Sequence, residues 1–355
     1  MKIYKKLLLS TLLLLPFLAV FPCTTFVYNN ADGQLFFGRN FDFPAGMAHI
    51  EINKANTIKS SMAPEGEAVF SWVSRFGSIS FNQIGREFPY GGMNEAGLII
   101  EQMWHQEAKY PEKDSRAALS ELQWIQYQLD MAESVEDIID SDRIVRIADA
   151  SIATLHFLVA DANGTVATIE FFEGEMVVHK GENLPYKVLA NCSYEVSVDF
   201  VSKKQVDNNA AFSPWVENSS GRFATAVSLL DKMPAEESAV DASFNVLQAV
   251  AQEGQTQWSI VYDQANRCIF YRTMANDKLR EIKLGDFDFR CKSPEYFLDI
   301  DANPQLKENI KAFNESDNFE LINGVCNAVE FLSRIPVEYR KATAMYPRSM
   351  SCADN

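Results

Sequence analysis

The stretch that decides the fold runs from residue 23 to residue 42 and reads CTTFVYNNADGQLFFGRNFD. It contains two runs rich in aromatic and β-branched residues, 23–28 and 34–40, separated by the turn sequence NNADG. Such runs on either side of Asn, Asp and Gly are typical of a β-hairpin. The hairpin is expected to return residues 38–42, at the end of its second strand, to the side of Cys23.

Further strands and helices follow the hairpin along the chain. Apolar runs bounded by turn residues predict strands over 49–53, 69–81, 97–103, 155–160, 166–172 and 176–179, and a last hairpin over 258–273. Helical spacing predicts helices over 115–139, 222–232 and 243–252. Short connections of this kind favour antiparallel sheets covered by helices, an α+β fold. Residues 23–355 are predicted to form a single domain with a less regular C-terminal segment.

The first 22 residues differ in composition from the rest of the chain. Lysines at positions 2, 5 and 6 precede an almost wholly apolar run over residues 7–21. This pattern is typical of a secretory signal peptide, because a spanning helix usually needs about 20 apolar residues. Residues 1–22 are therefore predicted to be a leader. The protein is expected to be exported, periplasmic or secreted from a bacterium, without stable membrane insertion after leader removal; an uncleaved anchor is the alternative.

The overall composition is that of a globular protein with an acidic surface. Lys and Arg number 32 against 48 Asp and Glu, which gives a formal net charge of −16, and 47% of the residues are hydrophobic. An acidic surface repels a phosphate backbone. Nucleic acid is therefore not an expected partner.

Six cysteines and four histidines bear on disulfides and metal sites. A bridge between Cys326 and Cys352 is the predicted disulfide, and the alternative is that most cysteines are small buried residues. The histidines, at positions 49, 105, 156 and 179, are scattered along the sequence, and no Cys-x-x-Cys pair occurs. No metal site is predicted.

Cys23 stands where an N-terminal nucleophile is required, directly after the leader. A thiol is mostly protonated at neutral pH and needs a nearby base. A cut before Cys23 would free an α-amine with a pKa of about 7.7–8.0, which can take the thiol proton and later return a proton to the leaving amine. A Cys at the junction of the leader and the first strand is therefore what an enzyme with an N-terminal nucleophile would need, and such an enzyme would require leader removal for activity.

Four stretches carry a more specific signal, and they occur in a fixed order along the chain. They are Cys-Thr at 23–24 followed by Gly-Arg-Asn-Phe-Asp at 38–42, Gly-Met-Asn-Glu-Ala-Gly-Leu at 92–98, Val-Leu-Ala-Asn at 188–191, and Ser-Gly-Arg-Phe at 220–223. Together they resemble the choloylglycine hydrolase and penicillin V acylase family of N-terminal nucleophile hydrolases. The resemblance implies a four-layer αββα sandwich and hydrolysis of a linear amide of the penicillin V, N-acyl homoserine lactone or conjugated bile salt type.

The same resemblance implies a role for seven residues. The catalytic residues are Cys23 as nucleophile, Arg39 beside its sulfur, Asp42 at the α-amine, Asn191 in the oxyanion hole and Arg222 in the surrounding polar network. Substrate contacts are expected from Asn94 and from Trp104, which replaces the Asn or Tyr common in the family and offers a large apolar face. The resemblance implies no cofactor, a small-molecule substrate and a homotetrameric assembly.

Two other functions fit parts of the sequence. A Cys after an apolar leader is also the attachment point of a lipid anchor, although lipoprotein leaders favour small residues before the Cys and this chain has Phe21 and Pro22. The second alternative is a ligand-binding protein that keeps the sandwich without the activity. Hydrolysis of a substrate panel would distinguish these alternatives from the enzyme.

Overall fold

The computed structural model describes residues 22–63, 66–233 and 238–353, so most of the predicted leader lies outside the described residues. The strands are β1 Thr24–Asn29, β2 Leu35–Asp42, β3 His49–Asn53, β4 Thr57–Ser60, β5 Ser71–Val73, β6 Ser78–Asn82, β7 Pro89–Asn94, β8 Ile99–Trp104, β9 Ala117–Leu119, β10 Val145–Ile147, β11 Leu155–Ala160, β12 Val166–Phe172, β13 Glu175–Lys180, β14 Val188–Leu189, β15 Thr256–Asp263, β16 Cys268–Thr273, β17 Arg280–Lys283, β18 Tyr296–Asp299, β19 Lys311–Ala312 and β20 Ser351–Cys352. The helices are α1 Glu121–Met131, α2 Val135–Ser141, α3 Tyr194–Val206, α4 Pro214–Leu230, α5 Ala239–Ala249, α6 Glu315–Ala328 and α7 Val337–Met345.

Two antiparallel sheets lie face to face at the centre of the fold. Sheet A has the strand order β14-β1-β2-β15-β16-β17, and sheet B has the order β13-β12-β11-β8-β7-β6-β3-β18-β19. Helices α4 and α5 pack on sheet A, with α3 beside α4, and α1 packs on sheet B. The aromatic ring of Phe81 in sheet B lies edge-on to Tyr262 and Tyr271 in sheet A. The predicted α+β, four-layer αββα sandwich is therefore confirmed.

The predicted N-terminal hairpin forms at the centre of sheet A. Thr24 pairs with Asn40, which leaves Cys23 beside the end of β2. Gly33 in the turn adopts a φ of 80°, a conformation that favours glycine. At Gly38 a Cβ atom would stand 2.3 Å from the Phe26 ring, so the two strands pack this closely only with glycine there.

The predicted helix over 115–139 is wrong in its extent. The segment forms β9, then α1, then α2, with a break between the two helices at residues 132–134. Ser134 and Asp137 form a capping box that begins α2, and such a box satisfies the unpaired amides of a helix start. Apolar residues recur at helical spacing on both sides of the break, so the sequence pattern did not reveal it. Helix α3 was not predicted.

The C-terminal segment is more regular than predicted. Strand β18 pairs with β3 and so extends sheet B, and α6 and α7 pack against each other. Because β18 pairs with a strand far away in sequence, local pattern did not reveal it.

The predicted disulfide between Cys326 and Cys352 is wrong. Cys352 is bonded to Cys291, with the two Cα atoms 5.6 Å apart. Cys326 is a free thiol buried on α6. Strand β20 pairs with β4 and carries Cys352 to the loop after β17, a placement that sequence proximity to Cys326 could not show. Among the described residues, no helix combines the length and the apolar character needed to cross a bilayer.

Candidate active site

Cys23 lies directly before β1, with only 3% of its surface exposed. Its sulfur is 3.9 Å from Nη2 of Arg39 and 3.9 Å from the backbone oxygen of Asp42. Burial raises the pKa of the Cys23 thiol, while the positive charges of Arg39 and Arg222 oppose that increase. The nucleophile predicted from the sequence thus lies beside two arginines, but their charges do not offset the increase in the pKa of the thiol that burial causes.

Arg39 is fully buried and held in place on several sides. Its Nε forms an ion pair of 2.9 Å with Glu101, and its Nη2 donates to the carbonyl of Gln102 at 2.9 Å. The guanidinium also lies 5.0 Å above the centre of the Phe41 ring. Glu101 in turn accepts a hydrogen bond from the hydroxyl of Tyr262. These contacts tie the side chain of Arg39 in sheet A to sheet B and fix its distance from the sulfur.

Asp42 is fully buried with half of its carboxylate unsatisfied. The hydroxyl of Thr256, which pairs with Asp42 across β2 and β15, donates to Oδ1. Oδ2 has no hydrogen-bond partner among the described residues. Burial raises the pKa of Asp42 to about 7, although Thr256 and the two nearby arginines counter it. A buried carboxylate oxygen without a partner is suited to receive a cation or a donor.

Asn191 and Arg222 form the other side of the site. Arg222 on α4 donates to Oδ1 of Asn191 at 2.9 Å, to the carbonyl of Cys23 and to the hydroxyl of Thr24. The side-chain Nδ2 of Asn191 donates to the backbone carbonyl of Trp104 at 2.8 Å. Asn191 is thereby oriented with its NH₂ group toward the strand end that carries Trp104.

Residues 190–191 contact polar side chains on the side away from Cys23; we call them the oxyanion segment, because Asn191 is the oxyanion-hole residue expected from the sequence. The hydroxyl of Ser219 accepts from the backbone N–H of Asn191 at 2.9 Å. Nε2 of His156 lies 2.6 Å from the carbonyl oxygen of Ala190. On the other side of the ring, Nδ1 of His156 lies 3.0 Å from Oε1 of Glu170.

Three histidines that are far apart in the sequence lie close together in the structure. Three of the four, His105, His156 and His179, gather around the carboxylate of Glu170 on sheet B. Candidate ligand atoms of the first two and of Glu170 lie within 4.8 Å of one another. Spacing along the chain was therefore a poor guide to this cluster, because the strands that carry it come together only in the sheet.

A cleft of about 630 Å³, counted to its open mouth, adjoins Cys23. Its apolar walls are formed by Phe41, Phe43, Tyr90, Trp104, Leu122 and Leu155, together with Phe331, Leu332 and Ile335 from the C-terminal segment. The Trp104 ring lies 5.9 Å from the Phe331 ring, inclined by 70°. The cleft therefore presents an apolar surface next to Cys23.

A second, larger apolar cavity of about 1720 Å³ continues from the first. The two share the residues Ile84, Glu121, Leu122, Ile152, Phe331 and Ile335. The far wall of the second cavity comes from the region of α6 and α7. We call the two together the two-chamber cleft.

The structure brings together six of the seven residues predicted for the site, namely Cys23, Arg39, Asp42, Asn191, Arg222 and Trp104. Asn94 is the exception. Its amide donates to the carbonyls of Leu129 and Ala132 at the end of α1, and it does not line the cleft. A substrate contact for Asn94 is therefore not supported, since its hydrogen-bonding groups serve to hold that helix.

Sequence reasoning missed Glu101, Thr256, His156 and Glu170. Glu101 did carry a signal, because a carboxylate in the middle of the apolar run 97–103 needs a buried partner. Glu170 in the run 166–172 and His156 in the run 155–160 carried the same kind of signal, whereas Thr256 carried none. Their partners lie on strands whose pairing is set by the whole sandwich.

Comparison with known proteins agrees with this geometry. The family of linear amide C–N hydrolases, choloylglycine hydrolase family, matches residues 23–213, beginning at Cys23. The penicillin V acylase of Pectobacterium atrosepticum is 29% identical over 141 residues, which is 36% of this chain and 37% of that relative's length.

Two solved structures share the fold. The penicillin V acylase from Agrobacterium tumefaciens superposes with a TM-score of 0.69 at 24% identity, covering 82% of this chain and 98% of that one. A variant of the conjugated bile acid hydrolase from Clostridium perfringens gives a TM-score of 0.63 at 17% identity, covering 82% and 99%. Because the family match covers more than half of the residues and begins at the candidate nucleophile, the chain belongs to the choloylglycine hydrolase family of linear amide C–N hydrolases.

Proposed function

We propose that this protein hydrolyses linear amides of small molecules with Cys23 as an N-terminal nucleophile, once the residues before it are removed. The observation that carries the proposal is the position of Cys23 directly before β1, with its sulfur beside Arg39 and beside the backbone of Asp42, whose buried Oδ2 has no hydrogen-bond partner among the described residues. A free α-amine at Cys23 would give that oxygen a cationic partner. The family match that begins at the same residue supports this assignment.

Removal of the leader is needed because the thiol is otherwise a poor nucleophile. Burial raises the pKa of Cys23 in the chain that still carries Pro22. A free α-amine has a pKa of about 7.7–8.0 and so can accept the thiol proton near neutral pH. Activity is therefore expected to appear with the cut before Cys23.

The reaction begins when the thiol proton moves to the α-amine and the sulfur attacks the amide carbonyl carbon. The amide NH₂ of Asn191 stabilises the oxyanion. The C–N bond then breaks, the amine leaves with a proton from the α-ammonium group, and a thioester remains on Cys23. Water attacks the thioester, its proton passes to the α-amine, and the C–S bond breaks to release the acid and regenerate the thiol.

The two-chamber cleft favours an apolar acyl group on the substrate. Aromatic and aliphatic side chains form its walls, and such a surface gains free energy by removing apolar area from water. Penicillin V, N-acyl homoserine lactones and conjugated bile salts all join an apolar acyl group to an amine by a linear amide. These three substrate types form the test panel.

We also propose that the protein is exported. The basic and apolar leader supports this, and so does the Cys291–Cys352 disulfide, since such bonds persist mainly in oxidising compartments. A lipid-anchored or inactive ligand-binding protein is the competing function. The arrangement of Arg39, Asp42 and Asn191 around one sulfur favours the enzyme.

The test is hydrolysis of the panel by protein whose N-terminus is shown by mass spectrometry to be Cys23. Release of free amine from at least one substrate is expected, and C23S should abolish it. The matched control is C268S, because Cys268 is also a buried free thiol but lies in β16 away from the cleft.

A form that keeps Pro22 attached to Cys23 should be inactive. Activity of that form at the level of the processed protein would contradict the role of the α-amine. No release from any member of the panel by verified, processed protein would favour the binding function.

A further inference from the structure

The buried cluster behind the oxyanion segment contains a contact that ordinary protonation does not explain. Nε2 of His156 lies 2.6 Å from the carbonyl oxygen of Ala190, and Nδ1 lies 3.0 Å from Oε1 of Glu170. Both partners of the ring are fully or almost fully buried. A carbonyl oxygen only accepts hydrogen bonds, so Nε2 must carry a proton.

For the same reason, the contact between Nδ1 of His156 and Oε1 of Glu170 depends on which of the two atoms carries a proton. A neutral imidazole with its proton on Nε2 has a lone pair on Nδ1. An ionised Glu170 also has only lone pairs to offer, and two acceptors 3.0 Å apart repel each other. The contact therefore requires one cation between the nitrogen and the oxygen, either a proton or a metal ion.

The arrangement of the His105 and His156 rings favours a proton over a metal ion between His156 and Glu170. The rings of His105 and His156 lie 4.5 Å apart between centres and only 18° from parallel, so their in-plane lone pairs run side by side instead of converging. Zinc needs ligand atoms at about 2.0–2.2 Å in a tetrahedral arrangement. A proton needs only the 3.0 Å separation that is present, which is an ordinary hydrogen bond.

We infer that one proton shared by His156 and Glu170 holds the oxyanion segment in place for catalysis, which makes both of them positioning residues. The inference rests on the proposed function, because it acts through Asn191. When Glu170 carries the proton, it donates to Nδ1 and His156 donates to Ala190. When the proton is lost, the carboxylate faces a lone pair, the ring moves away, and the carbonyl next to Asn191 loses its donor.

The surroundings place the proton on Glu170. Burial lowers the pKa of His156 to about 3, and burial raises the pKa of Glu170. Three groups facing the pair from neighbouring elements oppose this increase: His105 after β8, His179 on β13, and the backbone N–H of Tyr194 on α3, which donates to both oxygens of Glu170. Glu195 on α3 adds to it. Burial and the nearby ring of His156 lower the pKa of His105 to about 3, so His105 adds no positive charge at neutral pH. The proton is therefore lost as the pH rises.

Glu170→Gln tests the inference, because the amide NH₂ of Gln donates to Nδ1 at every pH. We expect E170Q to keep kcat within about threefold of the unmodified enzyme at neutral pH and to retain it at alkaline pH, where the unmodified enzyme loses activity. His156→Phe removes the donor to Ala190 and should lower kcat about 10- to 100-fold with little change in KM, a loss comparable to misplacing an oxyanion donor. His49→Phe is the matched control, because His49 is the fourth histidine and lies on β3 outside this cluster, beside Glu51 and Phe297, and it should change neither value.

A second readout does not depend on activity. Infrared difference spectra between the unmodified protein and E170Q should show the carbonyl band of a protonated carboxylic acid at neutral pH, and this band should disappear on the alkaline side. The band is expected even if no member of the substrate panel is cleaved, so failure of the proposed function remains distinguishable.

Three results would overturn the inference. The first is an E170Q protein that folds but loses as much kcat as H156F, which would mean that the negative charge is required. The second is the absence of the acid band. The third is a stoichiometric metal ion in the purified protein, detected by elemental analysis and absent from H156F.

Discussion

Nη2 of Arg39 lies 3.9 Å from the sulfur of Cys23, although the two residues are separated by a whole hairpin. The distance depends on sheet B, because Glu101 and the carbonyl of Gln102 hold the guanidinium from the facing sheet. The positive charge beside Cys23 is thus set by contacts between the two sheets.

Glu101→Gln should slow the chemistry at Cys23. Loss of the carboxylate removes the ion pair that fixes Arg39, so the guanidinium can move away from the sulfur whose raised pKa it opposes. We expect kcat to fall at least about tenfold, and the alkylation rate of Cys23 by iodoacetamide at pH 7 to fall in parallel. Tyr262→Phe removes only one hydrogen bond to the same carboxylate and serves as the control, with a loss below about threefold. Equal losses in the two variants would contradict the role given to the ion pair.

Asp42→Asn should stabilise the unprocessed chain at neutral and alkaline pH. Burial raises the folded pKa of Asp42 to about 7 from a usual value of 3.8. The folded state therefore holds a proton that the unfolded state releases, and stability falls as the pH rises from about 4 to about 7. Asn avoids this loss, so its advantage should be absent below about pH 4 and on the order of 2–4 kcal/mol above pH 7.

Urea unfolding of the two proteins at pH 4, 5.5 and 8 measures this difference. In the processed protein, the α-ammonium group of Cys23 is expected to pair with Asp42 and to remove the advantage of Asn. A pH-independent difference in the unprocessed chain would show that Asp42 is ionised throughout.

Ile335→Trp should shorten the acyl group that the enzyme accepts. Ile335 lies in the wall shared by both chambers of the two-chamber cleft, so a larger side chain there should close the passage between them. Each methylene excluded from an apolar site costs about 0.8 kcal/mol. We expect kcat/KM for acyl chains of about ten or more carbons to fall more than tenfold, while that for chains of about four carbons changes little.

Val337→Trp is the control for this prediction. Val337 is 43% exposed and does not line either chamber. A uniform loss across chain lengths in the Ile335 variant, or the same loss in the control, would show that the second chamber does not receive the acyl group.

Replacing both Cys291 and Cys352 with Ser should destabilise the fold without changing the site. The disulfide links positions 61 residues apart, and removal of a bond that closes such a loop costs about 2–4 kcal/mol. Urea unfolding measures the change, and kcat should stay the same. Dithiothreitol should lower the stability of the unmodified protein to that of the double variant, and no effect of either treatment would contradict a structural role.

The parts of the site that were predictable from the sequence are those whose residues lie close together along the chain. Cys23, Arg39 and Asp42 lie in one hairpin, whose turn and alternating apolar residues are visible within twenty residues. Glu101 and Thr256 were not predictable in this way, because each meets the hairpin across a strand pairing or across the space between sheets.

The sequence by itself determined the N-terminal hairpin, the antiparallel α+β fold class and the family, because turn chemistry, apolar periodicity and ordered motifs are local properties. Only the tertiary structure decided the Cys291–Cys352 bond, the contribution of Phe331 to the cleft and the gathering of the histidines around Glu170. The physical reason is that these contacts join segments from distant parts of the chain, and their partners are selected by the packing of the whole sandwich.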